Sequence, residues 1–164
     1  MALIGTLTTQ KVVNLLAADA GMPASVAGLA ANEEAQVPAF SSKQVIAQNV
    51  APEIAERSTG SKYPLVHVYC NKLSNLLTEK FRTFSGQAQM AAEIRVSQDR
   101  LEGLETISQL YADAVTQVLD QSRGDWGDGV FFGGGYEINY GAVKAGGKNF
   151  LQIAKITFVL DVSS

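Results

Sequence analysis

Residues 87–124, QAQMAAEIRVSQDRLEGLETISQLYADAVTQVLDQSRG, change period partway along. Up to Ser97 the pattern alternates. Ala88, Met90, Ala92, Ile94 and Val96 fall on one side; Gln87, Gln89, Glu93, Arg95 and Ser97, with Ala91, fall on the other. Side chains along a strand point to opposite faces in turn, so this run is a strand with one buried and one wet face. Beyond it, Leu101, Leu104, Ile107, Tyr111, Val115 and Val118 recur at three- and four-residue steps, and Leu110, Ala114 and Leu119 widen the stripe. That is an amphipathic helix, with Ser97 or Asp99 placed to cap it and Gly124 to end it. A one-faced strand that leads straight into a one-striped helix predicts a helix lying on a sheet.

The flanks supply the rest of that sheet. PLVHVYC (64–70) is β-rich and opens on a proline, which suits a strand start. NKLSNLLTEKF (71–81) reads as a short helix or turn carrying Leu73, Leu76 and Leu77. YEINYGAVKAGGKNFLQIAKITFVLDV (136–162) reads as a hairpin with Gly146-Gly147 as its turn signal. In its last strand Phe150, Ala154, Ile156, Phe158, Leu160 and Val162 share one face; Leu151, Ile153, Lys155, Thr157, Val159 and Asp161 share the other. Apolar groups on both faces predict cover on both, by the helix and by a neighbouring chain. The first third is different: QKVVNLLAADAG with Thr8 as a cap and Gly21 as a stop, a second short helix from Pro23, a short strand in KQVIAQNV, and turn chemistry in APEIAERSTGSKY. These helices are too short to be stable alone. The expected organisation is an arm over residues 1–60 and a domain over 61–164. The fold class is α+β: a mostly antiparallel sheet with one long helix packed on a face, plus an N-terminal helical and extended arm.

Composition narrows the function classes. The 164 residues are 46% hydrophobic and 18% charged, with a net charge of −3. That suits one globular domain with or without an arm, and no basic footprint for nucleic acid is visible. The lone cysteine, Cys70, precludes an intrachain disulfide framework and a CxxC zinc site. The apolar tail LQIAKITFVL is too short for a bilayer span, and MALIGTLTTQK lacks the features of a signal peptide, so no membrane role is expected and folding is expected in a cytoplasm.

The segment RGDWGDGVFFGGGYE (123–137) is the chief chemical candidate. A dinucleotide loop needs strand, glycines, then helix; here the helix comes first, and its C-terminal dipole repels phosphate. Asp120, Asp125 and Asp128 lack a calcium-loop frame. His67, the only histidine, and Cys70 fall on opposite faces of a strand and do not make a catalytic pair. No ligand spacing for a metal appears. The expectation is no enzyme, no catalytic residue, no cofactor and no metal. What remains is aromatics on irregular backbone: Phe81 and Phe84 in EKFRTFSG, and Trp126, Phe131, Phe132 and Tyr136 in the glycine-rich run. They are either interface anchors or local core plugs.

Taken together, YPLVHVYC, EKFRTFSG, EIRVSQDRLEGLE, DQSRGDWGDG, FFGGGYE and KNFLQIAKITFVLDV, in this order and spacing over about 100 residues (Tyr63 to Val162), resemble the tail terminator, or tail completion, proteins of long-tailed bacteriophages. The resemblance implies a small α/β domain that closes into a ring, expected to be a hexamer. It caps the tail tube, stops its polymerisation and meets the neck or head-completion protein, while double-stranded DNA passes through the lumen. Location in the virion, at the head–tail junction, follows. Phe81, Arg82, Phe84, Arg123, Asp125, Trp126, Asp128, Phe131, Phe132 and Tyr136 are then assigned to subunit or ring contact. Six copies at −3 each carry −18, which predicts a neutral or acidic lumen that lets DNA slide. Another connector, neck or tail-tube subunit is the alternative; a small hydrolase using His67 or Cys70 and a non-viral binding module are weaker ones.

Overall fold

The computed structural model describes residues 3–51, 54, 63–146 and 148–164. The turn chemistry expected before Pro64 and the Gly147 half of the expected hairpin turn therefore lie largely outside the described residues, as does the arm–domain boundary near residue 60. The chain is α+β. Helices α1 (Ile4–Ala17) and α2 (Met22–Asn32) come first, followed by a short 3-10 turn (Ser42–Gln44) and strand β1 (Val45–Ala47). Then come β2 (Leu65–Asn75), β3 (Ser85–Gln98), helix α3 (Leu104–Asp120), β4 (Gly124–Gly127), β5 (Val130–Tyr140), β6 (Lys144–Gly146) and β7 (Asn149–Ser163). They form one curled sheet in the order β1-β2-β3-β7-β5-β4, with β6 also on β7. Among the described residues only the β1–β2 pair is parallel.

The helices share one face of that sheet. Alternation in β3 and β7 puts Met90, Ala92, Ile94, Ile156, Phe158 and Leu160 there, all buried, against Leu104, Tyr111, Val115 and Val118 of α3. α1 and α2 enter the same core. Their i, i+4 stripe Ile4, Thr8, Val12 and Leu16, with Met22 and Val26, is buried in it. Tyr111 packs on Phe40 at 6.2 Å, and its burial raises the phenol pKa to about 12.

Four local expectations change. Thr8 does not cap α1; its hydroxyl donates to the Ile4 carbonyl (2.9 Å) inside a helix that begins earlier. NKLSN is not a helix or turn. β2 runs on to Asn75, because a bulge between Cys70 and Lys72 shifts its register and brings Leu73 opposite Ala88. Helix α3 starts at Leu104, after Gly103 at φ 79, rather than at Ser97 or Asp99. Ser97 is still paired with Leu151 in the sheet, and the Gln98 amide bridges the Arg100 and Glu102 carbonyls (2.7 and 2.8 Å) across the turn, so Leu101 is left exposed. Lastly, GDWG is an edge strand rather than loop.

Candidate contact surface

The two stretches singled out by their aromatics meet at one end of the sheet, on either side of the C-terminal residues. On one side lies the β2–β3 loop. Asn75 Oδ1 accepts from the Leu77 and Ser85 amides (3.3 and 3.1 Å), and its amide donates to the Thr83 carbonyl (3.0 Å). The amides of Thr83 and Phe84 both donate to the Ser164 carbonyl (3.0 and 3.1 Å), while the Ser164 amide returns a bond to Phe84 O (2.7 Å). On the other side lies the β4–β5 turn. The Ser163 amide donates to Gly129 O of that turn (2.9 Å), while the Ser163 hydroxyl reaches back to donate to Glu79 of the β2–β3 loop (2.6 Å). Both approaches require glycine. At Gly129 (φ 78) an added Cβ would lie 1.9 Å from the Ser163 carbonyl oxygen, and at Gly86 it would lie 1.9 Å from that of Ser74.

The aromatics divide between core and surface. Phe84 and Phe132 are core residues, at 0% and 1% exposure, so burial removes them from the surface expected to meet a partner. Phe132 stacks between Trp126 (5.6 Å) and Phe158 (5.6 Å, edge-on). Trp126 is half-buried, held by its Nε1 donating to Ser122 O (2.6 Å). Lys11 from α1 reaches the same turn, donating to Trp126 O and pairing with Asp128, both at 2.9 Å. Asp125 accepts from the Gly127 amide (2.8 Å), which shapes the turn. Arg123 and Tyr136 lie in a separate group around Asp120 at the end of α3, at 3.4 and 3.2 Å. Phe81 and Phe131 remain outside, with Arg82, whose Nε lies 3.6 Å from Glu79. Leu76, Leu77 and Val159 join them as exposed apolar side chains; Val159 is on the outer face expected from the sequence, whereas the helical spacing of Leu73, Leu76 and Leu77 hides the exposure of the last two.

At the opposite end of β3, on the face away from the helices, the pattern is reversed: polar groups are buried. Arg95 is 2% exposed; its Nη2 donates to Glu93 (2.9 Å) and to the Val50 carbonyl. Tyr69 donates to the other Glu93 oxygen (2.7 Å), and Lys155 lies over the Tyr69 ring. Burial alone would raise the Glu93 carboxyl, but the Arg95 and Tyr69 hydrogen bonds and the nearby cations hold it below its usual range. Tyr69 is pushed upward by burial and by Glu93. His67, 1% exposed, is lowered to about 4, by burial first and then by Arg95; its Nδ1 has no hydrogen-bond partner among the described residues. Cys70 faces the other way, toward α1, so the two do not meet, and burial raises its thiol. Among the described residues no three His, Cys, Asp or Glu side chains gather as metal ligands.

Comparison with protein-family models finds no match, and comparison with curated proteins finds none either.

Proposed function

We propose that the chain is a virion structural protein: the ring-forming tail terminator of a long-tailed phage, acting through contact rather than chemistry. The observation that carries this reading is the end of the sheet where the β2–β3 loop and the β4–β5 turn clamp the C-terminal residues. Exposed Leu76, Leu77, Phe81 and Phe131 are gathered there on backbone fixed by hydrogen bonds. Exposed aromatic and aliphatic groups on a fixed frame suit association, since little conformational freedom is lost on binding. In the virion, such a ring would cap the tube, meet the neck and let DNA through.

Electron microscopy of the purified chain tests the reading. Closed rings with a hole of duplex-DNA width are expected, and adding them to polymerising tube protein is expected to halt tube growth. Open-ended tubes would favour a tube subunit instead, and a chain that stays monomeric at high concentration would sink both versions.

A further inference from the structure

Two features at the open end of the sheet are only partly used within a single chain: Arg82 lies 3.6 Å from Glu79, Glu79 accepts from Ser163 and Asp161 from Gln87, but the Phe81 ring is exposed on all sides. The first is the tip Lys80-Phe81-Arg82. Phe81 is fully exposed at φ 65, and Leu77 in the same loop is at φ 49. A left-handed conformation is strained for a bulky residue, because its Cβ crowds the following carbonyl. The bonds through Asn75, Ser85 and Ser164 hold the loop in that shape, so Phe81 is presented rather than frayed. The second is a shallow trough that starts beside this loop and continues over the wet face of β3, β7 and β5. Its two stretches share Gln87 and Asp161. Its apolar parts include Leu76, Phe131 and Val159; its charged groups are Glu79, Glu137 and Asp161, and neither stretch is lined by Lys, Arg or His.

We infer that this trough receives the Lys80-Phe81-Arg82 tip of a second copy of the chain. The occupant follows from complementarity. An aromatic ring between two cations fits a trough of mixed lining that offers apolar contact at Leu76, Phe131 and Val159 and carries three carboxylates, and opposite charges set register and exclude wrong partners. The chain's own tip leaves the trough open, because Phe81 is wholly exposed. The contact joins two different patches, so repeated from copy to copy it closes a ring when the rotation fits. This rests on the ring reading and supplies it with named contact residues.

Sedimentation and negative-stain imaging of the full chain test it. Phe81→Ser is expected to raise the apparent dissociation constant of assembly about thirtyfold, the effect of removing a buried anchor residue. Its thermal midpoint, read at a concentration where wild type and variant are both monomeric, should not move. Arg82→Glu and Asp161→Arg should each weaken assembly, and the two combined should restore it. A wild type and a Phe81→Ser variant that form equal rings would overturn the tip contact and leave the ring reading standing. A wild type that stays monomeric overturns both. A monomer that binds mixed-sequence duplex DNA through Phe81 assigns the tip to nucleic acid instead.

Discussion

The two ends of β3 invert the usual rule of burial in opposite ways. At one end Arg95, Glu93, Tyr69 and His67 are taken out of water; at the other Phe81, Phe131, Leu76 and Leu77 are left in it. The first costs desolvation and offsets part of it through the charge-assisted bonds of Arg95 Nη2 and Tyr69 to Glu93, while Arg95 Nε and Nη1 and His67 Nδ1 have no partner among the described residues. The second forgoes apolar burial and gains nothing within the chain. β3 runs unbroken between the two ends; the buried polar groups sit on it and on β2, and the exposed apolar groups on the β2–β3 loop and on β5. The sealed end is an internal staple, and the open end leaves apolar side chains uncovered among the described residues, which is what the proposed assembly would cover.

The comparison breaks most sharply at Arg95. Arg95→Ala leaves Glu93 half-buried without its cation, and an expected loss of about 3–5 kcal/mol in chemical denaturation follows. Replacing the pair together, Arg95→Met with Glu93→Gln, should recover much of it. A single substitution costing under 1 kcal/mol would mean that the sealed end is not a staple. A contrast within the other end comes next. Measured on the monomer, Phe84→Ala empties a core site and should cost about 3–5 kcal/mol, whereas Phe81→Ala, three residues away, should stay within about 0.5 kcal/mol. Equal effects on thermal midpoints would contradict the division of these aromatics into core and surface.

The sealed end should also respond to acid. With His67 held near 4 in the folded chain and its ordinary value near 6.5, the unfolded chain takes up the proton first. Stability therefore falls as pH drops from 6.5 toward 4, by up to about 3 kcal/mol, and Glu93, depressed in the folded state, adds loss at lower pH. His67→Leu should flatten the stability curve in that window; an unchanged slope would remove His67 as its source. The smallest effect belongs to the open end. Asp128→Asn removes the pairing with Lys11, but Asp128 is 71% exposed, so the expected loss is below about 1 kcal/mol and vanishes in high salt.

Some of this was legible in the chain and some was not. The alternation of residues 87–97 placed Met90, Ile94 and their neighbours on the core face, and the stripe from Leu104 to Val118 placed α3 upon it. The extension of β2 was not legible. Leu73, Leu76 and Leu77 lie at helical spacing, and only the bulge at Cys70 and the free backbone of β3 draw the segment into the sheet. The clamp on Ser163 and Ser164 had no signal at all, since its partners Phe84 and Gly129 are 80 and 34 residues away, by numbering. The paired contacts of Glu93, Arg95 and Tyr69 had only the wet-face pattern, which describes a charged strand face equally whether it is solvated or sealed.

The sequence by itself determined the α+β class, the inward face of β3, that of β7 from Ala154 to Val162 though not at Phe150, which is exposed, and the stripe of the long helix. These depend on period, and period is a local property written residue by residue. Only the tertiary structure decided which of the clustered aromatics are plugs and which are presented. Phe84 and Phe132 enter the core and Phe81 and Phe131 do not, because the curl of the sheet and the bulges at Cys70 and Phe132 set where each side chain emerges. That outcome depends on register between strands far apart in the chain, which no short window of sequence contains.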